Sequence, residues 1–168
     1  MNEVLLELYR HKTWATTRLI RACLGLTEED LSATVAGTYG GIHETLQHLV
    51  SSDESYFATA SGQDLEDQLG DELVPLGELA ERMLRTAVRW EQLAGDDAAA
   101  TREITTSDGW TMPAAVPMAQ AIHHADDHRS HVLTILGARG IELPALDIGE
   151  DLDVWHHAID SGQMTQRG

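Results

Sequence analysis

The sequence predicts an all-α protein, a four-helix bundle with a short extra C-terminal helix. Two observations lead there. Four long stretches carry apolar residues at helical spacing, and glycine, proline or capping residues punctuate each of them. Only residues 101–116 break the pattern, and a small hairpin fits them. At 168 residues the chain suits one domain, with 42% apolar and 23% charged residues, a globular balance.

The first helix runs from Asn2 to Leu24, with Asn2 as N-cap and Gly25 as its stop; Val4, Leu5, Leu8, Trp14, Leu19, Ile20 and Cys23 recur near helical spacing. Thr27-Glu28-Glu29-Asp30 has the form of a capping box opening a short helical turn. After the glycine-rich 37–41 stretch, a second helix spans Ile42 to Ala60 and ends at Ser61-Gly62. Residues 63–74 are acidic and read as loop. Pro75 is placed as the first residue of a third helix, Pro75 to Leu93, closed by Gly95-Asp96-Asp97. Asp108-Gly109 is a turn signal inside the expected hairpin, and 110–112 is its returning strand. Pro117 opens a fourth helix that ends near Arg139, with Gly140 beyond it. Residues 143–150 read as loop and Leu152 to Ile159 as a short fifth helix.

Acidic residues outnumber basic ones 28 to 11, a formal net charge of −17. Such a surface repels phosphate backbones and anionic lipids, so nucleic acid and membrane are not expected partners. No apolar run reaches membrane-spanning length, the N-terminus lacks a signal-peptide pattern, and the expected location is the cytoplasm. The lone Cys23 is expected to pack as a small apolar residue.

The chain holds 9 histidines. His124 and His128 stand i,i+4 on the fourth helix, so both imidazoles lie on one face and can reach one divalent ion at ~2.0–2.1 Å. A third ligand must come from another helix, and His48, between Leu46 and Leu49, is the best candidate. The same spacing also suits a solvated polar face formed with His123, Asp126, Asp127, Arg129 and His131, and spacing does not decide between the two. His11, His43, His156 and His157 are expected at the surface or behind the ligands, and the four tryptophans as core or loop anchors.

Three segments carry a resemblance. His124 to His131, HADDHRSH, resembles the HxxxHRGQ pattern of the DinB/YfiT-like superfamily of metalloenzymes. GIHETLQHL over 41–49 is similar to that family's helix bearing the first ligand histidine, and 9–20 to its first helix with a tryptophan and a following Arg-Leu. The order and separation of all three fit, whereas Ser130 and His131 replace the Gly and Gln of the motif. The resemblance implies a four-helix bundle and a zinc or nickel site with His48, His124 and His128 as ligands.

Three neutral imidazoles leave an ion its full charge and an open position, the layout of a catalytic site. The resemblance further implies a thiol-dependent S-transferase or isomerase using mycothiol or bacillithiol on a small-molecule electrophile. A metal-dependent hydrolase and a non-catalytic metal- or ligand-binding bundle are the alternatives. His131 and Glu44 are the candidate acid/base residues, Arg129 is a candidate for a cofactor carboxylate although its position toward the apolar stripe favours a buried structural pairing, and Asp126 and Asp127 are candidates to orient the imidazoles. A homodimer is the guessed assembly.

Overall fold

Helical periodicity and capping chemistry produce the expected elements. The computed structural model describes residues 2–63, 67–144, 146 and 151–165. In chain order these are α1 (Glu3–Ala22), a 3-10 turn (Cys23–Gly25), α2 (Glu28–Leu31), α3 (Ile42–Ser61) and α4 (Leu76–Gly95). A second 3-10 turn (Ala99–Thr101), β1 (Glu103–Thr105), β2 (Thr111–Pro113), α5 (Ala115–Arg139) and α6 (Val154–Asp160) complete the order.

Local signals account for most boundaries. The Asn2 side chain accepts from Leu5 N–H at 3.1 Å, and Thr27 with Asp30 forms a reciprocal capping box. Gly62 and Gly140 end α3 and α5 with φ of 69° and 65°, a left-handed conformation that costs glycine little. Two prolines sit one and two positions from their expected places. Pro75 is the N-cap of α4 instead of its first residue, and α5 begins two residues before Pro117. Both are tolerated because amides in a first helical turn have no intrahelical partner to lose. The hairpin forms as expected, antiparallel, with Ile104 opposite Met112 and Thr105 opposite Thr111; Trp110 lies outside the strands and is 69% exposed. Part of the loop expected over 143–150, and residues 64–66 of the acidic loop, lie outside the described residues.

The core has two apolar halves. One contains Leu19 and Ile20 of α1, Leu46 and Leu49 of α3, Leu79 and Met83 of α4, and Val132 and Ile135 of α5. The other contains Leu6 and Tyr9, Phe57 and Ala60, Trp90 and Ala94, and Met118 and Ala121 from the same four helices. The halves meet the N- and C-terminal portions of each helix in a fixed order. That order makes α1 and α5 run one way and α3 and α4 the other. The parallel α3–α4 pair requires the 62–75 connection to return along a helix of about 30 Å, which a dozen residues of extended chain can span. Gln47 of α3 holds the described part of that connection, donating to Gly70 and Glu72 carbonyls (3.2 and 2.8 Å) and accepting from Val74 N–H at 2.8 Å.

Between the two halves lies a buried polar layer. Lys12 of α1 pairs with Asp53 of α3, and Asp53 also accepts from Trp90 Nε1 of α4 at 3.0 Å. Arg82 of α4 binds both carboxylate oxygens of Glu54 at 2.9 Å. Arg129 of α5 donates to Thr16 Oγ1 at 2.9 Å and to the Lys12 carbonyl, and pairs with Asp126. These are charge-assisted bonds taken out of water, so each partner depends on the other. Asp53→Ala is expected to lower stability by about 3–5 kcal/mol, because it strands the Lys12 ammonium inside the bundle. A fall in the urea midpoint measures it, and adding Lys12→Met should recover part of the loss.

Candidate metal centre

Helix α3 presents His48, and α5 presents His124 and His128, at the interface where these antiparallel helices pack. The structure brings the three together: one ring nitrogen from each lies within 4.8 Å of the others. His124 Nε2 and His48 Nε2 are 3.1 Å apart. Ring centroids stand 4.2 Å apart for His124–His128 and 4.8 Å for His48–His128. His48 and His124 are half-buried and His128 is buried, with a buried Nδ1 that has no hydrogen-bond partner among the described residues.

The electrostatics favour neutral rings. Burial pushes His124 down to about 4, reinforced by the charges His128 and His48 would carry. Burial also pushes His128 to about 4, reinforced by His48 and His131, and burial lowers His48. Asp127 opposes the shift at both α5 histidines, but desolvation outweighs it. A neutral imidazole offers a lone pair, which is the form a metal binds. Tetrahedral bonds of ~2.0–2.1 Å place ligand nitrogens roughly 3.3 Å apart. Two Nε2 atoms facing each other at 3.1 Å sit close to that spacing. The donor set therefore fits a divalent ion, with three protein ligands and room for another.

The helpers expected beside the ligands are placed differently from one another. His131, the next turn of α5, is half-buried with its ring centroid 5.1 Å from that of His128; it stands beside the three-histidine group and outside it. Glu44 lines the same pocket as His48, yet its carboxylate turns back to cap α3, accepting from Gly41 N–H at 3.0 Å. Arg129 points to α1 and the interior, only 4% exposed, so its guanidinium serves the polar layer described above. Asp126 is taken up by that same Arg129, leaving Asp127 as the acid that acts on the imidazoles.

Aromatic rings that carried no signal in the sequence complete the site. Tyr39 stacks on His48 at 4.1 Å with 13° between planes and meets His128 edge-on at 5.2 Å. Tyr56 meets His124 edge-on at 5.3 Å. Tyr56 lies two turns after His48 on α3, so helical spacing could have found it. Tyr39 sits in the glycine-rich loop, where no period operates. Beside His48 opens a pocket of ≈ 410 Å³ whose walls include Tyr39, Gln47, Ser51 and Asp71.

Three further histidines and the cysteine have structural places. His11 and His157 are buried: His11 Nε2 lies 2.8 Å from the Leu152 carbonyl, and His157 Nδ1 lies 2.9 Å from Glu7. They anchor α6 against α1 and do not lie at the surface. His43 Nε2 lies 2.8 Å from the Val74 carbonyl. Cys23 is buried in the apolar core and its thiol is pushed up to about 12, so it packs as expected. Of the tryptophans Trp90 is core, whereas Trp155 is 69% exposed.

The shifts fix a pH dependence. The folded values of about 4 lie below the ~6.5 of an unfolded histidine, so between them the unfolded chain binds more protons. Stability of the metal-free protein should therefore fall as pH drops from about 6.5 to about 4. Urea midpoints across that range measure it, and the fall should be smaller in the His124→Gln/His128→Gln double variant.

Comparison with known proteins agrees with the helical fold. No curated protein matches the chain. Among solved structures, the crystal structure of a DinB-like protein from Bacillus cereus ATCC 10987 is similar, with a TM-score of 0.66 over 87% of this chain and 97% of that one. At 20% identity that likeness speaks for the fold alone. A model of the DinB family matches residues 1–158, and the chain belongs to the DinB family.

Proposed function

We propose that the protein is a metal-dependent enzyme in which His48, His124 and His128 hold one zinc or nickel ion, and that it transfers a low-molecular-weight thiol to an electrophile or uses the thiol in an isomerisation. The carrying observation is the three-imidazole cluster, neutral at physiological pH, beside an open pocket. A bound ion supplies positive charge that acidifies a thiol such as mycothiol or bacillithiol into its nucleophilic form.

The chain's own residues support the rest of the reading. Burial keeps the three rings unprotonated and hence available as donors. Tyr39, stacked on His48, shields one face of that ring and fixes its tilt. Ser51 adds a hydroxyl and Asp71 a carboxylate to the wall, which suits a polar thiol carrier better than an apolar one. His131, whose buried Nδ1 has no partner among the described residues, is the residue assigned to accept or return a proton beside the cluster.

Elemental analysis of native protein beside His48→Ala and His128→Ala tests the site. About one zinc or nickel per chain is expected, with affinity falling more than about 100-fold in either variant, beyond the cost of losing an outer-shell partner. Metal content unchanged in both variants refutes the shared site. Metal-loaded protein is then assayed with electrophiles in the presence and absence of mycothiol or bacillithiol. Thiol-dependent turnover supports transfer or isomerisation, and turnover in water alone points to the hydrolase instead.

A further inference from the structure

On the far side of α1 from the interior lies a second cleft, ≈ 790 Å³, between α1 and α4 and closed at one end by α6. None of its lining residues belongs to the histidine cluster. Lys12 and Thr16 face inward to Asp53 and Arg129, while Arg10, Thr13, Thr17 and Arg21 follow one another at i,i+3 and i,i+4 along the opposite, cleft-facing side. Trp14, Leu84 and Ala87 line it with apolar surface.

Its charge is contrary to that of the molecule. The chain has 11 Lys and Arg residues against a net charge of −17, and three of its arginines line this one cleft. Arg10 is held by Glu91 at 3.1 Å, and Arg18 by Asp160 at 2.9 Å with its guanidinium 5.4 Å from the centre of the Trp14 ring. Of the cleft's described residues on α1, two hold a buried donor that is left over. Thr17 is only 4% exposed and its Oγ1 has no hydrogen-bond partner; the Arg18 Nε is buried and equally without one. A buried hydroxyl left unpaired costs free energy unless something else satisfies it. Arg21, one turn beyond Thr17, is exposed and makes no ion pair among the described residues.

We propose that this cleft binds an organic carboxylate with an apolar body. The carboxylate accepts from Thr17 Oγ1, Arg18 Nε and the Arg21 guanidinium, and the apolar body lies along Trp14, Leu84 and Ala87. The volume lies within the range of small-molecule pockets, and an apolar wall with a few polar donors is what such sites show. A cationic ligand meets three arginines.

The probe is decanoate, titrated into the full-length protein by isothermal titration calorimetry, with decanol as its uncharged counterpart. Saturable binding of one decanoate per chain is expected, with decanol weaker by about tenfold or more, the value of a charge-assisted hydrogen bond. Arg21→Gln should weaken decanoate by about tenfold, and Thr17→Val, which keeps the side-chain volume, by several-fold. His48→Ala should leave decanoate binding unchanged, which separates this cleft from the metal cluster. Arg21 is exposed and Thr17→Val preserves the volume of a buried side chain, and an unchanged thermal midpoint verifies folding. Equal affinity for decanol, affinity that survives Arg21→Gln and Thr17→Val together, or no saturation in the millimolar range overturns the assignment. So does a dimer in solution that excludes decanoate.

Discussion

The Lys12–Asp53 pair sits at the middle of the bundle with 1% and 2% of its side chains exposed, and the helices are arranged around it. An ammonium out of water is tolerable only beside its counter-ion, and the carboxylate is completed by Trp90 Nε1. One small constellation thus fixes α1, α3 and α4 in register. Burial pulls the Lys12 pKa down while Asp53 holds it up, the balance expected of a buried pair. Arg129 extends the same layer to α5 through Thr16 and the Lys12 carbonyl.

That layer bears on the histidines. His48 lies five residues before Asp53 on α3, and His128 is the neighbour of Arg129 on α5. Locking Asp53 and Arg129 against α1 sets how α3 and α5 slide past one another, and so sets the distance between their imidazoles. The apolar halves above and below supply cohesion, since apolar burial is non-directional. The polar layer supplies registry, because its bonds form only at one offset.

The acidic surface does not govern the site. With a net charge of −17 the whole chain would favour protonated histidine, yet burial and mutual repulsion keep these three neutral. Local desolvation outweighs distant, screened charge. The same separation of local from global charge appears on the outer face of α1, where arginines gather on a molecule that is otherwise strongly anionic.

The sequence by itself determined what lies within one element. Helical spacing, the Asn2 and Thr27 caps and the terminal glycines marked the helices, and the i,i+4 spacing placed His124 and His128 on one face. Asp108-Gly109 marked the hairpin. These are short-range consequences of backbone geometry, so they can be read from a window of residues. Only the tertiary structure decided what joins elements: His48 meeting His124, Tyr39 covering His48, and Arg129 turning inward to Thr16. It also decided that Glu44 spends its carboxylate on Gly41 and that His11 of α1 and His157 of α6 are buried where those two helices meet. Each of these depends on the relative slide and rotation of packed helices. That register is fixed by the buried pairs of the middle layer, whose partners lie far apart in the chain.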